Sequence, residues 1–116
     1  MAVAALAAMT LSGCTQTVRA GPGHTLQVAL NEYRVNPISA SVPSGVLTLI
    51  VRNYGRLSHN LVVAGGGYVD GSTPAIPPGS EATLLLDLTP GNYTIYSSLL
   101  NDQALGVHGT MTVTFN

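Results

Sequence analysis

From His24 to Phe115 the apolar residues recur at every second position, in short runs broken by turn formers, and no stretch carries the three-to-four-residue spacing of an amphipathic helix. Leu26, Val28 and Leu30 alternate with polar or small neighbours, and Ile38, Ala40 and Val42 do the same within Arg34 to Val42, where Pro37 marks an edge or a bulge. Val46 to Arg52 is apolar on both faces, as a central strand would be. Leu61 to Ala64 is a further run, followed by Thr83 to Leu88 with Leu84, Leu86 and Leu88 inward, and Tyr93 to Ser97 with Tyr93 and Ile95 inward. Met111, Val113 and Phe115 alternate with Thr110, Thr112 and Thr114 in the last strand, which makes Met111 a core residue rather than a ligand. The prediction is an all-β Greek-key sandwich of about seven strands.

The breaks agree with that reading. Pro43-Ser44-Gly45 is a turn signal, Asn53-Tyr54-Gly55 closes the apolar run before it, and Asp70 to Gly79 is rich in turn formers. Gly65-Gly66-Gly67 reads as a loop, since no Gly-x-x-x-x-Gly-Lys pattern or following helix would make it a phosphate cradle. Leu88-x-Pro90-Gly91-x-Tyr93 fits a tyrosine corner. With 116 residues, 46% of them hydrophobic and 8% charged, the chain can bury one core and is expected to form one domain. A net charge of -1, no lysine and four scattered arginines (Arg19, Arg34, Arg52, Arg56) exclude a nucleic-acid footprint.

Met1 to Leu11 is an uncharged, Ala-rich apolar run of about the length of a signal-peptide h-region, too short to cross a bilayer as a helix. It ends in Leu11-Ser12-Gly13-Cys14, which resembles the lipobox of bacterial lipoproteins. The resemblance implies a signal peptide over 1–13, a lipidated Cys14 opening a tether over 14–23, and a domain over 24–116 held at the membrane of the cell envelope, outside the cytoplasm. Cys14 is the only cysteine, so no intrachain disulfide can form.

A second resemblance covers Leu26 to Val113. Tyr33-Arg34-Val35-Asn36-Pro37, Pro43-Ser44-Gly45, Asn53-Tyr54-Gly55, His59-Asn60, Pro78-Gly79 and Pro90-Gly91-x-Tyr93 follow one another in an order similar to that of bacterial cupredoxins, the β-sandwiches that hold blue copper. Such a site takes two imidazoles, a thiolate and a weak axial thioether. The resemblance places the first imidazole at His59, the thiolate at Ser97, the second imidazole at Asp102 and the thioether at Val107, so three of the four positions carry the wrong chemistry. A serine hydroxyl is a hard, protonated donor and gives no copper–sulfur bond. By the same analogy Asn60 bridges the two ligand loops.

These observations imply a cupredoxin-like envelope lipoprotein that lacks type 1 copper ligands, acts as a binding or structural module for an envelope protein or small ligand, is not an enzyme and needs no cofactor. Two alternatives stay open. His59 with His108 or Asp102 could carry copper at a non-blue site, or the His59 ring could bond a backbone carbonyl while His108 faces solvent. Ser97 with His59 as base and Asp102 as orienting group would be a weak hydrolase, although no nucleophile-elbow glycines flank the serine.

Overall fold

The computed structural model describes residues 17–99 and 102–115; the signal segment and Cys14 lie outside them. Two sheets face each other. The first runs β1 (Val18–Arg19), β4 (Ser39–Pro43), β10 (His108–Thr114), β9 (Gly91–Tyr96), β6 (Val62–Gly65), β7 (Tyr68–Ser72); the second runs β3 (Arg34–Asn36), β2 (Thr25–Asn31), β5 (Gly45–Asn53), β8 (Glu81–Leu88). A single helical turn, α1 (Asp102–Leu105), precedes β10. Parallel pairs (β2 with β5, β4 with β10, β1 with β4) mix with antiparallel hairpins in a Greek-key sandwich.

The period-two series become the core. Leu26, Val28 and Leu30 of β2, Leu47, Leu49 and Val51 of β5, and Leu86 and Leu88 of β8 face Ala40, Val42, Ile95, Met111 and Val113 of the other sheet, all buried. Met111 has no exposed surface and fills the interior as its alternation predicts. The tyrosine corner forms, with the Tyr93 hydroxyl donating to the Thr89 carbonyl at 2.7 Å.

Among the described residues ten strands stand where about seven are expected, for identifiable reasons. The run from Arg34 to Val42 divides across the cis Asn36–Pro37 bond, β3 joining one sheet and β4 the other; Ile38, 57% exposed, lies in this crossover and not on the buried face. β7 falls inside a segment rich in turn formers. It is an edge strand with no buried residue, so it shows no apolar alternation. Gly66 and Gly67, both at positive φ, make the two-residue turn that joins it to β6. Val18–Arg19 pairs with Ala40 and Ser41 and Ala20 packs on the core, so residues 18–20 belong to the sandwich. Val46 of β5 is exposed, so that strand buries one face and not two, and Phe115 lies beyond the last paired residue, 88% exposed.

Met111 sits at the centre of this packing, paired with Tyr93 on one side and Ala40 on the other. Met111→Ala is expected to destabilise the domain by about 2–5 kcal/mol, read from urea unfolding, whereas Phe115→Ala should stay within about 0.5 kcal/mol.

Candidate functional site

At one end of the sandwich three loops converge on His59. The loop after β5 is built by Asn53, wholly buried, whose side-chain amide donates to the Leu57 and Ile76 carbonyls at 2.8 Å each while its Oδ1 accepts the Gly55 N–H at 2.8 Å. This is an Asx turn, the physical content of the Asn53-Tyr54-Gly55 signal. His59 then pairs with Ile76 through two backbone hydrogen bonds, which fix the position of its ring.

The ring has no exposed surface, and both its nitrogens meet carboxylates. Nδ1 lies 2.6 Å from Asp102 Oδ2 and Nε2 lies 2.6 Å from Glu32 Oε2. An ionised carboxylate can only accept, so a carboxylate against each ring nitrogen favours the doubly protonated His59 ring, the imidazolium. Burial disfavours that charge, but the hydrogen bonds the ring donates to Asp102 and then to Glu32 outweigh it and hold the His59 pKa above its ordinary 6.5. Glu32 is held below its ordinary 4.5, first by the Arg56 N–H, then by the His59 ring, with a smaller share from the Leu57 N–H.

Asp102 opens α1 with 4% of its surface exposed. Its Oδ2 also accepts the Ser97 hydroxyl at 2.7 Å, and its carbonyl accepts the Val107 N–H at 2.8 Å. Ser97 in turn accepts the Asn60 N–H at 3.2 Å. Asn60 Oδ1 accepts the Ser98 N–H at 2.7 Å and its Nδ2 donates to Ser98 Oγ at 2.9 Å, so this side chain joins the His59 loop to the end of β9. Among the described residues no buried side-chain nitrogen or oxygen lacks a partner.

His59, Ser97, Asp102 and Val107, the four positions set by the cupredoxin resemblance, are thus brought together through direct contacts and the Ser97 N–H to Val107 carbonyl bond at 3.1 Å. Val107 is wholly buried and offers no donor. His108 opens β10 on its exposed phase, and the ring nitrogens of His59 are taken by Asp102 and Glu32. His59 bonds carboxylates rather than a backbone carbonyl, because Glu32 reaches it from the β2–β3 turn. The buried Ser97 hydroxyl meets Asp102 and Asn60, and among the described residues it makes no hydrogen bond to the imidazole that a nucleophilic serine would use as its base.

Glu32 is the residue that sequence reasoning missed. Its faint signal is Gly55, where a Cβ would run into the Glu32 carboxylate, so this glycine lets the two loops approach. A copper ion implied by the fold does not fit these residues. The two carboxylates flank opposite nitrogens of one ring, and no three His, Cys, Asp or Glu side chains among the described residues are placed to hold one ion.

No protein-family model matches the chain, and no curated protein is significantly similar to it. Among solved structures it is similar to a dithionite-reduced auracyanin from the photosynthetic bacterium Roseiflexus castenholzii, at 21% identity over 81% of this chain and 99% of that one, with a TM-score of 0.72. Auracyanin A, a "blue" copper protein of Chloroflexus aurantiacus, is 14% identical over 85% of this chain and all of its own, TM-score 0.69. Reduced rusticyanin is 15% identical over 95% of each chain, TM-score 0.63. The fold is cupredoxin-like.

The stability this pair contributes depends on pH in two directions. A raised His59 pKa contributes stability that is complete below 6.5 and is lost as pH rises through the folded-state value; a lowered Glu32 pKa contributes stability complete above 4.5 and lost as pH falls through its own. Denaturation midpoints should therefore be highest between pH 4.5 and 6.5 and fall on both sides. In His59→Gln the alkaline decline should vanish while a weaker acid decline survives, since the Arg56 and Leu57 N–H groups still favour the Glu32 carboxylate.

Proposed function

We propose that this domain is an envelope lipoprotein module, for binding or structural support, in which the blue-copper centre of its fold has been replaced by an ionic lock. The observation that carries the reading is the commitment of both His59 nitrogens to carboxylates in a buried site that includes Ser97, the residue the cupredoxin resemblance puts at the thiolate position. A metal needs a ring lone pair, and here each ring nitrogen is held against a carboxylate that favours its protonated form. Among the described residues no thiolate stands beside the ring, so the soft ligand that blue-copper electron transfer uses is not part of this reading.

Titration of the full chain with Cu(II), followed by absorbance and calorimetry, should give neither an intense visible band nor tight uptake. Tight binding abolished by His59→Ala would instead make the protein a copper carrier. The triple variant Ser97→Cys, Asp102→His, Val107→Met should acquire a visible copper–thiolate band, if these four positions still carry the geometry of the lost centre.

We infer that Cys14 carries the lipid anchor, on the strength of Leu11-Ser12-Gly13-Cys14 alone. No helix among the described residues is long and apolar enough to cross a membrane. Val18 follows Cys14 by four residues, which at about 3.6 Å per extended residue puts the β1 edge within about 14 Å of the acylated thiol. Cys14→Ser should move the protein from the membrane to the soluble fraction and abolish its labelling by a fatty-acid analogue; unchanged fractionation would remove the anchor from this reading.

A further inference from the structure

The outer face of the second sheet carries a groove of about 680 Å³, within the range of small-ligand sites and built from residues that take no part in the His59 network. Its shape follows from strand register. Asn36, Ala29, Arg52 and Glu81 form one row across all four strands, and Gln27 and Ile50 stand beside each other in the next. Ala29 is the smallest member of its row, so the sheet surface dips between Asn36 and Arg52. Tyr54, just past β5, walls one end with 63% of its surface exposed.

The chemistry of the lining selects a ligand class. Arg52 and Glu81 lie 3.7 Å apart, each about half exposed, so their charges cancel while guanidinium donors and carboxylate acceptors remain open to solvent. The other polar lining groups, Asn36, Gln27 and the Tyr54 phenol, are neutral and both donate and accept. A groove with no net charge gives no advantage to a phosphate, a carboxylate or a cation. Donors and acceptors side by side instead match vicinal hydroxyls, which act as both. The Arg52 guanidinium sits 5.5 Å from the centroid of the Tyr54 ring and steadies it. Tyr54, with the Ala29 and Ile50 side chains, offers apolar surface to the C–H face of a pyranose.

We propose that this groove binds a neutral saccharide. The inference deepens the reading of the domain as a binding module and assigns that role to the outer sheet rather than to the His59 end. The test is calorimetry of the full chain with maltohexaose, cellohexaose and tetra-N-acetylchitotetraose, alongside sialyllactose and a heparin hexasaccharide as charged comparators. At least one neutral sugar should bind with a Kd below about 1 mM, and both Ala29→Leu, which fills the dip, and Tyr54→Ala should weaken it at least about tenfold. Melting curves establish that the variants fold, and Arg52→Ala serves in place of any that does not. Binding of none of the neutral sugars, tighter binding of the charged ones, or unchanged affinity in the variants overturns the proposal. Any of these results leaves the copper and fractionation outcomes untouched, so the two readings fail separately.

Discussion

A positive charge with no exposed surface is tolerable in a protein only if other groups replace the water it has lost. For the His59 imidazolium those groups are Asp102 and Glu32, one on each ring nitrogen at 2.6 Å. Desolvation costs several kcal/mol per ion, so charge-assisted hydrogen bonds on both sides are the condition for this ring to be buried at all. The contact ties together segments far apart in the chain: the β2–β3 turn through Glu32, the loop after β5 through His59, and α1 through Asp102. Ser97 and Asn60 extend the same network to the end of β9. Removing one carboxylate would leave a buried charge half-compensated, which makes the network an all-or-none unit.

The sandwich positions this unit without contributing to its chemistry. Hydrogen-bonded registers between β9 and β10 and between β2 and β5 place the loop ends within reach of one another, and the apolar alternation fixes those registers, because a one-residue slip would turn every core side chain outward. The fold is shared with blue-copper proteins, but what the loops hold is set by individual side chains. At this end of the sandwich the chain places an imidazole between two carboxylates, a buried hydroxyl and a buried valine. The outer face of the second sheet is free of that constraint, and there the same register lines up a paired arginine and glutamate beside an alanine.

Much of the fold was legible along the chain. The core series Leu26-Val28-Leu30, Leu86-Leu88 and Met111-Val113 are buried as their period requires, because a strand with one wet face must alternate. The extra strands were not legible, since β7 buries nothing and a two-residue β1 is too short to display a period. Ile38 and Phe115 follow the alternation in sequence yet lie outside paired strands, where periodicity has no meaning.

For the site, the absence of any thiol past Cys14 and the lone His59-Asn60 pair were fixed by residue identity, and with them the want of blue-copper ligands. Residue identity could not disclose that Glu32, 27 positions before His59, would occupy its second nitrogen, or that His108 would fall on the exposed phase of its strand. Both outcomes depend on which loop ends the two sheets bring side by side and on the phase in which β10 begins. Hydrogen bonds between distant segments follow from packing in three dimensions, and a linear pattern records only what each strand must bury.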